Sequence, residues 1–187
     1  MKVKFRFSGR GGQGIKFLGS ALVKVAMEAK YFATLAVDYT PSVRGGPIFC
    51  DVILSDEPIS YPSCDNDGDY FVAIDSKGIE RASECIYDGT ISFIDSDTVS
   101  NPKEIVTKGK MHIVPITKTA DENKVTKSTN ILSLGFLSEF LKKNAKLKIK
   151  EEHYIKVFNE MPERFRKRNI ETYNLGKKLF SETDLKN

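Results

Sequence analysis

A chain of 187 residues with 40% hydrophobic content and no low-complexity tract can bury one substantial core, so a single domain over residues 1–187 is expected. Its 29 basic and 25 acidic side chains leave a net charge of +4, too mild a surplus to make a nucleic-acid surface. No apolar run is long enough for a membrane span, and Met1 to Phe7 alternates charged and apolar side chains unlike a secretory signal, so a cytoplasmic location is expected.

Residues 3–8, Val-Lys-Phe-Arg-Phe-Ser, alternate with the period of a strand and run into a glycine cluster. From Ile15 to Ala29 the apolar positions Ile15, Leu18, Leu22, Val25, Ala26 and Ala29 recur at steps of three and four, which predicts a helix with one buried face. Gly19 and Ala21 let that helix lie close to neighbouring backbone. Tyr31 to Val37 reads as a second strand, closing a strand, glycine turn, helix, strand unit.

Beyond Asp38 the chain carries Arg44-Gly45-Gly46-Pro47, a strand from Ile48 to Leu54, and the acidic turn Ser55-Asp56-Glu57-Pro58. Tyr70 to Ile74 reads as a buried strand, Ser76 to Cys85 as a helix, and Thr90 to Ile94 and Met111 to Ile116 as further strands. Asn130 to Leu141 has helical spacing, and the charged tail from Glu151 reads as two helices divided by Pro162, expected to pack across the sheet. This alternation predicts an α/β fold: a three-layer, Rossmann-like, mostly parallel sheet with helices on both faces and a helical C-terminal tail.

A strand, then Gly-x-Gly-x-x-Gly, then a helix offers backbone amides and a helix N-terminus to a phosphate. Gly9, Gly11 and Gly14 have this spacing, which a ligand-free tight turn would also satisfy. A P-loop is excluded because Ile15-Lys16-Phe17 follows Gly14, where a Lys and a Ser or Thr belong. Asp38, 24 residues after Gly14, stands near the interval of about 20 that places an acid on a ribose, so a free-standing NAD-binding, Rossmann-like protein is the alternative reading. Against it stand the bulky amide of Gln13 and the glycine-rich basic loop after Asp38. Arg44, preceding two glycines, is suited to clamp a carboxylate or phosphate, and a solvated loop arginine is the plain alternative.

Cys50, Cys64 and Cys85 are spaced by 14 and 21 residues, too far apart and too few for zinc or a four-thiolate cluster. They read as buried free thiols, and no metal site is expected in this chain. His112 and His153 belong to no recognisable metal or triad spacing. Asp67-Gly68-Asp69 reads as a turn.

Three motifs in order, Gly9-Arg10-Gly11-Gly12-Gln13-Gly14 with Gly19, Tyr39-Thr40-Pro41-Ser42-Val43-Arg44-Gly45-Gly46-Pro47, and Ser55-Asp56-Glu57-Pro58-Ile59, resemble the gamma subunit family of 2-oxoacid:ferredoxin oxidoreductases. Asn130 looks like the family's asparagine at the start of the late helix, and Asn169 with Gly176 like its closing pair. The resemblance spans nearly the whole chain. It implies a subunit of an enzyme that decarboxylates a 2-oxoacid oxidatively to an acyl-coenzyme A and passes electrons to ferredoxin or a similar acceptor. Thiamine diphosphate, magnesium and iron-sulfur clusters would then sit on partner alpha, beta and ferredoxin-like delta subunits, leaving the isolated chain inactive. Coenzyme A phosphates would meet Gly9, Gly11, Gly12, Gln13, Gly14 and Lys16. A loop of Thr40, Pro41, Arg44, Gly45 and Gly46 would face partners, with Arg44 assisting catalysis. Pyruvate-type members carry Tyr-Gly-Pro-Glu ahead of the arginine. Thr40-Pro41-Ser42-Val43-Arg44-Gly45-Gly46-Pro47 followed by Asp51-Val52-Ile53-Leu54 looks more like the 2-oxoglutarate type.

Overall fold

β1 (Lys2–Arg10) and β3 (Pro47–Ser55) lie side by side through nine residue pairs, from Lys2 opposite Ser55 to Arg10 opposite Pro47. The pairing is antiparallel. In this computed structural model, which describes residues 1–39, 45–77, 79–144, 147–183 and 185, six strands form one sheet. Its order is β2-β3-β1-β4-β5-β6, with β2 at Phe32–Tyr39, β4 at Tyr70–Ala73, β5 at Ile91–Asp95 and β6 at Lys110–Val114. β1, β4, β5 and β6 are parallel neighbours, whereas β3 runs against both β1 and β2. The expected mostly parallel sheet therefore forms, with one reversed strand inserted between the first two.

The period-two pattern of β1 sorts its side chains between two faces. Val3, Phe5 and Phe7 join Val52 and Leu54 of β3, Tyr70 and Val72 of β4 and Phe93 of β5 in the larger core. Over that face pack α1 (Ile15–Glu28), α4 (Ile116–Glu122), α5 (Thr129–Asn144), α6 (Glu151–Asn159) and α7 (Glu163–Glu182). The opposite face carries a smaller core of Phe71, Ala73, Ile94, Cys64 and Cys85 beneath the short helices α2 (Ile79–Ala82) and α3 (Pro102–Ile105). There Arg6, 5% exposed, donates from Nε and Nη2 to the two oxygens of Asp51 at 2.6 and 2.8 Å. Its Nη2 also donates to the Cys64 carbonyl at 2.6 Å and its Nη1 to that of Ala82 at 3.3 Å. A planar guanidinium with five donors can tie a strand, a loop and a helix end together in this way.

Several boundaries differ from those read in the sequence. The expected helix over Ser76–Cys85 is α2 followed by a 3₁₀ turn at Ser83–Cys85, with Gly78 outside the described residues. β6 stops at Val114 because Pro115 turns the chain into α4, which begins at Ile116. The C-terminal helices lie against other helices, α7 on α5 and α6 on α1, instead of crossing the sheet directly. Phe180 of α7 meets Phe136 and Phe140 of α5 edge-on, while Tyr173 stacks on Tyr154 of α6. Among the described residues no helix is long and apolar enough to cross a membrane.

The α5–α7 contact depends on two glycines. A Cβ at Gly176 would stand 2.0 Å from the Leu132 carbonyl oxygen, and one at Gly135 2.0 Å from that of Tyr173. Both obstacles are backbone, so an added methyl must push the helices apart. Gly176→Ala should lower stability by about 1–3 kcal/mol and the thermal midpoint by several degrees. An unchanged midpoint in a calorimetric scan would contradict the close approach.

Candidate functional site

The end of β1, the start of α1 and the start of β3 meet at one point. After Arg10 the chain makes a tight turn in which the Gln13 amide donates to the Arg10 carbonyl at 3.0 Å. Gly12 has φ of +98° and Gly14 a left-handed φ of +78°, values that L side chains rarely adopt. A Cβ at Gly12 would meet nothing within 4 Å, whereas one at Gly14 would meet Nδ2 of Asn130 at 2.4 Å. The turn is therefore open at Gly12 and closed at Gly14, where Asn130 at the head of α5 donates to the Gly14 carbonyl at 3.4 Å.

Gln13 braces this turn. Its Oε1 accepts the Arg10 amide at 2.7 Å, and its Nε2 donates to the Ile74 carbonyl at 3.4 Å and to Asp75 Oδ2 at 3.2 Å. Asp75 follows β4, the parallel neighbour of β1, and its carboxylate also holds Arg10 Nε at 3.5 Å and the Lys77 amide at 2.9 Å.

The Gly45-Gly46 segment closes the same site. Because β3 runs antiparallel to β1, its first residues lie beside the last residues of β1. Gly11 donates its amide to the Gly46 carbonyl at 2.8 Å, and Lys77 Nζ donates to the Gly45 carbonyl at 3.3 Å. Two glycine motifs, more than 30 residues apart in sequence, thus form one surface. Gly9, Gly11, Gly12, Gln13, Gly14, Lys16, Gly45 and Gly46 are brought together here. Thr40, Pro41 and Arg44 lie outside the described residues.

Among the described residues, no acceptor engages the amides of Gly12 and Gly14, and α1 has no side-chain cap over its first turn. These donors, with the positive end of a 14-residue helix, suit an anion. The Gly11 amide, spent on Gly46, is withdrawn from that set. Beside the turn opens a cavity of about 500 Å³ lined by Arg10, Gly12, Gly14, Lys16, Phe17 and Ile48, with no carboxylate in its wall.

Asp38 belongs to a different place. Its Oδ2 accepts Arg81 Nη2 at 2.6 Å, in a cleft of about 490 Å³ on the sheet's opposite face that also includes Arg6, Phe49 and Asp51. β3 separates β2 from β1. A dinucleotide-binding unit needs those two strands adjacent, with the ribose-binding acid beside the glycine turn, and that arrangement is not formed here.

The cysteines are buried free thiols, and burial pushes Cys50 and Cys85 up to about 12 and Cys64 higher still, so none presents a thiolate. His112 stacks on Phe93 with ring centroids 5.5 Å apart, and His153 Nδ1 accepts the Lys150 amide at 3.0 Å. Among the described residues, no group of three or more His, Cys, Asp or Glu side chains could hold a metal ion.

Sequence reasoning passed over Asp75, Lys77 and Phe17 as members of this site. The available signal for Asp75 was its position at the C-terminal end of an apolar strand, where ligand sites of open α/β sheets collect.

The family model described as pyruvate ferredoxin/flavodoxin oxidoreductase matches residues 4–181. The 2-oxoglutarate synthase subunit KorC of Methanocaldococcus jannaschii is 29% identical over 186 residues, covering 97% of this chain and 96% of that protein. Ketoisovalerate oxidoreductase subunit VorA of Methanothermobacter thermautotrophicus is 27% identical over 136 residues, which are 73% of this chain and 28% of that protein. Among solved structures, the gamma subunit of a keto/oxoacid ferredoxin oxidoreductase from Geobacter sulfurreducens aligns with a TM-score of 0.74 and 23% identity over 98% of both chains. The 2-oxoglutarate:ferredoxin oxidoreductase from Magnetococcus marinus, with 2-oxoglutarate, coenzyme A and succinyl-CoA bound, aligns with a TM-score of 0.83 and 24% identity, covering 100% of this chain and 32% of that one. Both structures share the fold.

Removing the brace tests its role. Gln13→Ala frees the Arg10 amide and takes a donor from Asp75, and should cost about 1–3 kcal/mol in chemical denaturation. Gln13→Glu should be no better, because a second carboxylate then faces Asp75. Wild-type stability in both variants would show that the turn holds itself.

Proposed function

The chain belongs to the pyruvate ferredoxin/flavodoxin oxidoreductase family, and on that premise we propose that it is the gamma subunit of a 2-oxoacid:acceptor oxidoreductase. The complex decarboxylates its 2-oxoacid oxidatively, forms the acyl-coenzyme A, and passes the electrons to ferredoxin or a similar acceptor. 2-Oxoglutarate is the favoured substrate, because relatives named 2-oxoglutarate synthase subunit align over nearly their full length. The chain acts as a single domain over residues 1–187 in the cytoplasm, where buried free thiols stay reduced.

The observation that carries this reading is the joining of the glycine turn to the Gly45-Gly46 segment. Its free donors fit phosphate, and among the described residues the neighbouring side chains include no thiolate and no metal-holding set. In the proposed complex the amides of Gly12 and Gly14, the first turn of α1 and Lys16 receive coenzyme A phosphates. Coenzyme A supplies the thiol that takes the acyl group. Thiamine diphosphate, magnesium and iron-sulfur clusters lie on alpha, beta and ferredoxin-like delta partners, towards which the loop of Thr40, Pro41, Arg44, Gly45 and Gly46 faces, with Arg44 assisting. The VorA relative supports the need for partners, since the part that matches this chain is 28% of a longer polypeptide.

The chain, purified from its native cell, should bring thiamine- and cluster-bearing subunits with it. In that complex Gly12→Val places a side chain in open space at the mouth of the turn and should raise the KM for coenzyme A about tenfold, equivalent to about 1.4 kcal/mol of binding. Purification of the chain alone, or an unaltered KM in a folded complex, counts against the reading.

A further inference from the structure

β2 is an outermost strand: among the described residues it has β3 on one side and no strand on the other. Its eight residues pair with β3 without interruption, from Phe32 opposite Ser55 to Tyr39 opposite Ile48, so no bulge twists the edge away. From Phe32 to Val37 the sequence Phe-Ala-Thr-Leu-Ala-Val contains neither charge nor proline. The unpaired backbone groups of such a strand are a template for another strand, and edges that stay open are normally blunted by lysine, proline, bulges or short length. The sheet's other edge follows that rule. β6 has only five residues, opens on the exposed Lys110 and is cut off by Pro115. β2 instead leaves the ring of Phe32 50% exposed.

Run backwards, β2 is complementary to itself. Phe32, Thr34, Ala36 and Asp38 share one face of the sheet, and Ala33, Leu35 and Val37 the other. With Thr34 opposite Thr34 of a second, antiparallel chain, Phe32 comes opposite Ala36, Ala33 opposite Leu35, and Lys30 level with Asp38, and every pair shares a face. Lys30 is exposed and pairs with no carboxylate among the described residues, while Asp38 engages Arg81 through Oδ2 alone. The Thr34 hydroxyl has no hydrogen-bond partner within the chain.

We propose that β2 is the interface on which a second copy of this chain adds, antiparallel and with Thr34 beside Thr34, so that two sheets become one. The two-fold axis repeats each favourable pair: two Phe32–Ala36 contacts, two Lys30–Asp38 ion pairs, and a threonine pair in which rotation about χ1 supplies each hydroxyl with a partner. The direction of the strands has a consequence for the candidate site. β1 runs parallel to β2, since β3 opposes both. The glycine turns of the two copies therefore lie at opposite ends of the joined sheet, and both stay open to other subunits. The pairing does not depend on which ligand the turn receives.

Light scattering of the purified full-length chain, and subunit counting in the assembled complex, should each find two copies. Thr34→Lys sets two ammonium groups opposite each other and should raise the dissociation constant of the pair at least tenfold, with an unchanged far-ultraviolet circular dichroism spectrum. Thr34→Cys should link two copies on mild oxidation, because opposed residues have Cα atoms about 4.5–5.5 Å apart, within disulfide reach. The native thiols are buried. Ala36→Cys, which faces Phe32 and not itself, should fail to link, and this contrast decides the matter even where the lysine variant does not fold. A single copy in both preparations, or a dimer indifferent to Thr34→Lys, would overturn the proposal. So would equal linking through Ala36→Cys, or linking of Thr34→Cys to a different subunit, which would make the edge a site for another chain.

Discussion

The reversed direction of β3 determines where the functional residues end up. In an all-parallel arrangement the start of β3 would lie at the far end of the sheet from the glycine turn. The antiparallel register of Arg10 with Pro47 places Gly45 and Gly46 against Gly11 instead, and the 2.8 Å bond from Gly11 to Gly46 joins the two segments. Only there does the turn gain a second wall. The same bond consumes one of the amides that a free glycine turn would offer, so the donors left open are those of Gly12, Gly14 and the first turn of α1.

Around that contact the protein divides its charge between two faces. On the thin face, Arg6 and Asp51 form a buried ion pair whose oxygens and nitrogens are further engaged by the Cys64 amide, the Cys64 carbonyl and the Ala82 carbonyl. A buried pair with this many partners is costly to break, because the surviving charge would be stranded. On the helix-covered face Arg10 is held by Asp75 at 3.5 Å, whereas Lys16, Lys127 and Arg168 pair with no carboxylate among the described residues. The glycine contact between α5 and α7 brings Asn130 on one helix and Phe165 and Arg168 on the other towards Gly14 and Phe17. Close packing of α5 on α7 at Gly135 and Gly176 thus shapes the site along with the turn itself.

Much of the architecture was legible in the sequence because it rests on periodicity. The apolar spacing from Ile15 to Ala29 and the alternation through Phe5 and Phe7 specify α1 and β1, and the structure forms both. Strand direction is a different matter. Ile48 to Leu54 has the same composition whichever way it runs, so the antiparallel pairing was invisible, and with it the meeting of the two glycine motifs. The helices Pro102–Ile105 and Ile116–Glu122 were missed because four and seven residues are too few to establish a 3.6-residue repeat. Arg6 sits at a polar position of an alternating strand, which ordinarily faces water. Its burial depends on Asp51, whose pairing needs the register. Gln13 was read as a bulky neighbour of a glycine and as a contact for coenzyme A phosphates, and its role as a brace depends on Asp75, just beyond β4 and 62 residues away.

The central claim is that backbone donors of the joined glycine segments receive coenzyme A within a partner-completed site. Hydrogen–deuterium exchange on the assembled complex, with and without coenzyme A, addresses those donors directly. The account predicts slowed exchange at the amides of Gly12, Gly14 and Ile15 to Phe17, with little change at Gly11, whose amide is already bonded. Unchanged exchange across residues 12–17, alongside protection in the partner subunits alone, would contradict it.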